Sequence, residues 1–288
     1  MFYLINKPLN ESSFKTINNF SKKNNIKKIG HTGTLDPLAT GLLLVATDSD
    51  TKLIQYISEE DKTYVAGIKF GSSTETYDTE GAVTNFSSNK VEEKDLEKIV
   101  NWFLTQEDQF PPIYSAKKIN GKKAYEIARK GKEIELKKQK IKVKKAKLIN
   151  FDFENQILFI ELTVSKGTYI RSLAHDLGIF LKTFAHLNFL DRTAIGRLNK
   201  RFLKDNNFVK IDITPFINLE IFEPNYNDFK LLKNGVTLRV HNLKDGKYAL
   251  RNFDEIWGVI NVVNNNFNIE KIFGEKITKL EVLWKKKI

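Results

Sequence analysis

The 288-residue chain has no cysteine, one methionine, six prolines and only four histidines. Without cysteine there is no disulfide framework and no thiol nucleophile. The histidines, at positions 31, 175, 186 and 241, stand far apart and show no metal-ligand spacing, so any chemistry must run without thiols, and a metal is not expected. No apolar run approaches the roughly 18 to 20 residues of a membrane-spanning helix. The start, Met1 to Pro8, lacks the form of a signal peptide, and a cytoplasmic protein is expected. Acidic residues are also in deficit: 35 Asp and Glu face 47 Lys and Arg, a net charge of +12. That balance makes an anionic polymer the first partner to consider, nucleic acid ahead of a membrane surface. At 41% hydrophobic residues the chain has enough apolar side chains for a sizeable core.

One loop stands out. Gly30-His31-Thr32-Gly33-Thr34-Leu35-Asp36-Pro37-Leu38-Ala39-Thr40-Gly41 packs three glycines around a single carboxylate. The glycines mark places of positive φ or close approach, and Pro37 holds Asp36 out of the helical region. On spacing alone the loop is either a site presenting Asp36 or a tight strand-to-strand turn with a capping aspartate.

Elsewhere the pattern is strand, turn, strand. Phe2 to Ile5 reads as a strand stopped by Lys7-Pro8, and Ser12 or Ser13 offers an N-cap to a helix with Phe14, Ile17 and Phe20 on one face. Gly41 to Ala46 reads as a buried strand, followed by a helix that Asp48 or Asp50 caps and that carries Leu53, Ile54 and Ile57. Lys52 in its first turn opposes the macrodipole, which leaves two readings: it faces an anion near Asp36 or on RNA, or it is an exposed lysine. Tyr64, Ala66, Ile68 and Phe70 alternate along one strand face; Leu96, Ile99, Val100 and Phe103 have helical spacing. Ile157 to Val164 is a further strand, and the helix after it starts near Arg171, a cation poorly placed for the dipole and so expected to have a carboxylate partner. Beyond about Asn225, Thr237 to Val240, Lys247 to Arg251, Ile256 to Val263 and Leu280 to Trp284 read as short strands, with a hairpin turn in Asn261 to Asn268. Lacking regular βαβ alternation, the chain predicts an α+β fold with a mixed, mainly antiparallel central sheet.

Ser115 to Lys147 holds fourteen Lys or Arg and three acids, nearly the whole net charge. Because Lys140-Ile141-Lys142-Val143 alternates like a strand and residues 124–129 look helical, these lysines belong to a folded surface. Such a run is either a solvated face or an RNA-contacting one; its concentration, interleaved with Tyr114 and Tyr125, favours RNA. The candidates are Lys117, Lys118, Lys122, Lys123, Arg129, Lys137, Lys138, Lys140, Lys142, Lys144 and Lys145.

Several separated runs together resemble the bacterial tRNA pseudouridine synthase B (TruB) family. They are His31 to Gly41, continued by Leu42-Leu43-Leu44 and Thr51-Lys52; Lys62-Thr63-Tyr64; Thr74 to Gly81; Pro111-Pro112-x-Tyr114-Ser115-Ala116; Ser165-Lys166-Gly167-Thr168-Tyr169-Ile170-Arg171; and Leu190-Asp191-Arg192-Thr193. Asn6, Glu75 and Asp191 depart from the family's usual residues, Asp191 by reversing a charge. The resemblance implies the pseudouridine synthase fold over residues 1–224, with a tRNA-gripping basic insertion at about 105–147. The short strands beyond Asn225 read as a small β domain at 225–288; family members often carry a PUA-type domain there, although only Lys233-Asn234-Gly235 carries the likeness. The resemblance implies isomerisation of the position-55 uridine in the tRNA T-loop, a base that must be flipped out. Asp36 would be catalytic, paired with Arg171; Tyr64 would stack on the uracil and is a candidate acceptor of its C5 proton; Tyr169 and Leu190 would complete the pocket. For His31 two readings stand, filling the space the base vacates or bonding its own loop's backbone. The implied partner is the T-arm of tRNA, bound by a monomer without guide RNA, obligatory protein partner or cofactor.

Overall fold

A computed structural model describes residues 1–57, 61–115, 136–238 and 243–287, with the backbone of two short strands at 118–119 and 122–123. The chain divides into two compact units, Met1–Thr47 with Glu59–Asp212, and Asp48–Ser58 with Ile213–Ile288.

In the first unit, β1 (Phe2–Lys7) leads to α1 (Ser13–Lys23), β2 (Ile29–His31) and β3 (Ala39–Thr47). Next come β4 (Lys62–Phe70), the hairpin β5 (Ser72–Thr74) and β6 (Val83–Phe86), and α2 (Leu96–Leu104). The basic segment starts at β7 (Asp108–Gln109), carries β8 (Lys118–Ile119) and β9 (Lys122–Lys123), and returns through β10 (Gln139–Lys140). Then follow β11 (Val143–Asp152), β12 (Ile157–Val164), α3 (Ile170–Phe180), β13 (Ala185–Ile195), β14 (Leu198–Asn199) and β15 (Phe208–Ile211). Nine of the described strands form one sheet in the order β11-β12-β4-β13-β3-β1-β15, with β14 on β13 and β2 on β3. Every pairing in it is antiparallel except β13 with β3, so the sheet is mixed and mainly antiparallel, as its sequence pattern predicts.

The strands follow from their residues. β12 alternates buried and half-buried positions, while β3, central in the sheet, has Leu42 to Ala46 covered on both faces. Gly41 sits at φ +103°, and a Cβ there would meet the Arg192 carbonyl oxygen at 2.3 Å, so only glycine lets β13 close on β3. Gly30 and Gly33 are not among the residues of positive φ, and of the three loop glycines Gly41 alone needs that freedom. Ser12 caps α1 by accepting from Lys15 N at 3.1 Å. Ile17 and Phe20 are buried as expected, but Phe14 is 70% exposed because the inward face runs through Ser13, Thr16, Ile17 and Phe20.

The second unit has a four-stranded sheet, β16 (Glu220–Phe222), β17 (Gly246–Asn252), β18 (Glu255–Val263) and β19 (Asn266–Ile272), in that order. Two helices, α4 (Tyr226–Lys233) and α5 (Gly274–Lys287), contribute Phe229, Leu232 and Leu280 to its core around Trp257. Leu280 to Trp284, expected as a strand, is helix: five residues are too few to separate the two periods. Of the strand expected at Thr237 to Val240, Thr237 and Leu238 are in no strand, and residues 239–240 lie outside the described residues. The Asn-rich stretch is a hairpin, turning at Asn264 and Asn265. Asp48–Tyr56 is a 3-10 helix of this unit, held by the ion pair of Asp50 with Lys276 at 2.6 Å. Lys52 lies 5.6 Å from the Phe273 ring centroid, a cation-π contact within this unit.

Candidate active site

The Asp36 loop is pinned from four sides. Ser13 Oγ donates to the Leu35 carbonyl, and the Leu35 N–H returns a bond to that hydroxyl, both at 2.8 Å. Asn10, left-handed at φ 60°, donates its N–H to the Pro37 carbonyl at 2.9 Å. Lys7, completely buried, donates to the carbonyls of Pro8, Glu11 and Pro37 at 2.8, 2.5 and 3.3 Å. Arg192, 1% exposed, donates from Nε to Leu42 O at 2.7 Å and from Nη2 to Gly33 O at 3.0 Å. Four donors on one short loop leave Asp36 little freedom, which is what precise placement of a carboxylate demands.

α3 brings the counter-ion. Arg171, in its first turn and 6% exposed, places Nε 3.0 Å from Asp36 Oδ2. That contact is an ion pair without an aligned hydrogen bond, since Nε has no bonded acceptor. The other end of the guanidinium is fully engaged: Nη1 donates to Asp78 Oδ2 and Thr76 O, and Nη2 to Tyr114 O, each at 3.1 Å. Asp78, with no exposed surface, also accepts from Thr76 Oγ1 at 2.5 Å and Glu80 N at 3.0 Å. Arg171 is thus held by one carboxylate and faces a second. Asp36 keeps 37% of its side-chain surface open. Burial nonetheless pushes its carboxyl above the usual value of 3.8; Arg171 opposes the rise and the Asp78 charge adds to it. Opposite charge favours the ionised form here as expected, but desolvation outweighs it.

Two pockets meet at this pair, sharing Thr34, Leu35, Asp36 and Arg171. The first, about 430 Å³, is walled by Tyr64, Tyr169, Leu190 and Arg192 with Lys62 and Lys166 at its margin. Strand register explains the wall: Tyr64 pairs with Arg192 and Ala66 with Leu190, so period-two alternation sets Tyr64, Leu190 and Arg192 on one face. The second, about 1010 Å³, lies against Phe14, His31, Glu75, Glu80, Tyr114 and Ser115. His31 lines this second pocket, and its Nδ1 accepts the Gly33 N–H at 3.2 Å, which puts the ring proton on Nε2. Burial and the Arg192 charge lower its pKa, keeping the ring neutral. The structure therefore gathers Asp36, Arg171, Tyr64, Tyr169 and Leu190 around one cavity and sets His31 beyond Asp36.

Sequence reading passes over Lys7, Asp78, Gln109 and Arg192 as site residues. The available signals are the bare Lys-Pro pair, the Asp in the turn after β5 and the Arg two residues past Leu190. The charge reversal at Asp191 has a local cause: its carboxylate accepts twice from Lys200 Nζ at 2.6 Å and once from the Thr40 hydroxyl at 2.8 Å. Among the described residues no cluster of three or more His, Asp or Glu side chains could hold a metal ion, and no helix is long and apolar enough to cross a membrane.

Of the basic residues, Lys137, Lys140, Lys142 and Lys145 are exposed. Lys138 pairs with Asp108 at 3.1 Å and Lys144 with Asp61 at 2.6 Å. Lys118, Lys122 and Lys123 fall in the paired strands β8 and β9, while Lys117 and Arg129 lie outside the described residues.

Residues 21–170 match the TruB family pseudouridylate synthase (N terminal domain). The tRNA pseudouridine synthase B of Mycoplasma mobile is 45% identical over 282 residues, covering 97% of each chain. That of Fusobacterium nucleatum is 38% identical, covering 91% of this chain and 96% of its own. Among solved structures, a chain of a Cbf5-Nop10-Gar1 complex superposes with a TM-score of 0.65 at 20% identity, over 94% of this chain and 84% of that one, a likeness of fold. With an arginine-faced aspartate in a fixed loop, an aromatic cavity beside it and these relatives, the chain belongs to the TruB family of pseudouridylate synthases.

Proposed function

We propose that this protein isomerises uridine to pseudouridine in tRNA, acting on the position-55 uridine of the T-loop. One observation carries the reading: the Asp36 carboxylate, ion-paired to buried Arg171, opens into a cavity walled by Tyr64, Tyr169 and Leu190. The reaction breaks the N1–C1′ bond, turns the base and joins C5 to C1′; a proton leaves C5 and one is gained at N1. No electron is exchanged and no external reactant enters.

Asp36 approaches the sugar in its ionised form, either attacking C1′ or removing a proton from C2′. Arg171 orients it. Tyr64 and Tyr169 replace the stacking that the uracil loses when it leaves the T-loop, and Leu190 closes the apolar wall. The Tyr64 hydroxyl is the group we assign to the C5 proton. His31, which lines the second pocket and bonds the Gly33 N–H, is the residue we assign to the space the base vacates.

The T-arm is gripped by the exposed lysines Lys137, Lys140, Lys142 and Lys145 and by the rest of the basic insertion, Lys117, Lys118, Lys122, Lys123 and Arg129 included. This built-in grip supports action on tRNA by a monomer in the cytoplasm, without guide RNA or protein partner. Incubating the purified chain with unmodified tRNA and mapping pseudouridine at single-nucleotide resolution tests the reading. Conversion at one T-loop uridine supports it; tight binding with no conversion would make the protein a non-catalytic tRNA binder.

A further inference from the structure

Tyr169 occupies the N-cap of α3, in extended conformation at φ −96° and ψ 111°, and makes no capping bond with its own side chain. Its ring lines the cavity instead. The cap is supplied from outside. Gln109, 2% exposed and about sixty residues earlier, accepts the Tyr169 N–H on Oε1 at 2.6 Å and donates Nε2–H to the Tyr169 carbonyl at 3.2 Å. One donor and one acceptor on the same residue fix the amide's orientation, since the flipped carboxamide would satisfy neither.

Gln109 is also part of the stem of the basic insertion. Its strand, β7, pairs with β10, Gln109 opposite Gln139. Around it the stem is laced to the segment bearing Tyr169 and Arg171: Gln139 Nε2 donates to Gly167 O at 2.8 Å, Lys142 N to Ser165 Oγ at 2.8 Å, and Ser172 Oγ to Phe110 O at 2.7 Å. Of these contacts, those of Gln109 alone act on the backbone of Tyr169, whose carbonyl also accepts the Leu173 N–H of α3 at 3.2 Å.

Resting on the function proposed above, we infer that Gln109 is a positioning residue for the isomerisation: its paired bonds set the Tyr169 ring against the uracil and lock that ring to the base of the RNA-gripping insertion. A ring misplaced by an ångström would cost roughly 10²-fold in rate without touching RNA affinity.

The test compares single-turnover rates at saturating tRNA for wild type, Gln109→Leu, Tyr169→Ala and the double variant. The expected result is a Gln109→Leu rate down by roughly 10²-fold, tRNA Kd within about threefold, and a double variant no slower than Tyr169→Ala, because both changes act through one ring. Multiplying effects, or an unchanged Gln109→Leu rate, would overturn the inference. Gln109→Glu gives an independent reading: its carboxylate cannot donate to Tyr169 O but its neutral acid can, so its rate relative to wild type should climb as pH falls, and a flat ratio counts against the role. Amide exchange needs no turnover. Tyr169 N–H should lose protection in Gln109→Leu while β12 keeps its own, and retained protection would refute the inference. Should wild type itself form no pseudouridine, the functional reading fails, while the exchange result still judges the contact.

Discussion

The Lys7 ammonium reaches the carbonyl oxygen of Pro37, thirty residues ahead in sequence and next to Asp36, at 3.3 Å. Its remaining protons go to Pro8 and Glu11, and no part of the residue meets solvent. Three carbonyls are needed to hold this charge, and burial still draws its pKa down from 10.5 to about 8.

Activity should therefore be bounded on both sides. Above a pH of about 8 the neutral Lys7 amine has two protons for three carbonyls, the loop loosens, and the single-turnover rate should fall. On the acid side the rate should fall at a pH above the ordinary carboxylate value of 3.8, as Asp36 takes up its proton. Stability moves the other way. Between about 8 and 10.5 the unfolded chain holds the Lys7 proton more tightly than the folded one, so this group's contribution to stability rises with pH while activity declines. A pH-rate profile beside urea titrations at matched pH checks both slopes.

Asp36→Asn should reduce pseudouridine formation by at least about 10³-fold while tRNA affinity stays within a few-fold. Because folding raises the Asp36 pKa, its ionised form opposes the fold at neutral pH, and the amide removes that opposition. The inactive variant should thus unfold at the same temperature as wild type or above it. A clear drop in melting temperature would contradict the sign.

Replacing Lys137, Lys140, Lys142 and Lys145 with alanine should lower the slope of log K against log salt by about 3, at roughly 0.7 to 0.9 for each phosphate no longer neutralised. Lys138 and Lys144, already paired with Asp108 and Asp61, should contribute less when changed together. Filter binding across salt concentrations measures both. The single-turnover rate at saturating tRNA should stay near wild type, since none of these ammonium groups lines the cavity.

In the second unit, Lys276→Met should destabilise by about 3 kcal/mol, the scale for breaking a buried ion pair on one side. The Nζ lies 2.6 Å from Asp50, and the two side chains are 12% and 7% exposed. Adding Asp50→Asn should recover a good part of the loss. Thermal unfolding of the three variants gives the cycle.

Asp36 and Arg171 are legible from their own surroundings, a constrained loop and a cation at a helix start. Tyr64, Tyr169 and Leu190 are legible only through the runs that resemble the family, since a strand tyrosine by itself reads as packing. Lys7, Asp78, Gln109 and Arg192 are legible in neither way, because their meaning depends on partners 30, 93, 60 and 159 residues away. The strand pattern of the main sheet can be read from alternation. The grouping of Asp48–Ser58 with the C-terminal unit cannot, since it turns on partners far along the chain, Lys276 for Asp50, Phe273 for Lys52 and Glu270 for Tyr56. Phe14 shows the limit of helical spacing: each three-residue step to Ile17 and Phe20 falls about 60° short of a full turn, which leaves Phe14 off the buried face and beside the second pocket.

β13 lies between β4 and β3, and its Arg192 reaches the Leu42 carbonyl across 150 residues. Closing so long a span costs chain entropy before any contact rewards it, so this strand's insertion should be among the slower events in folding. The cavity has no wall at Leu190 and no Arg192 anchor until that event is complete. A chain still emerging from the ribosome, or one unfolded only as far as β13, should consequently be catalytically silent, and activity on refolding should return no earlier than β13 docks.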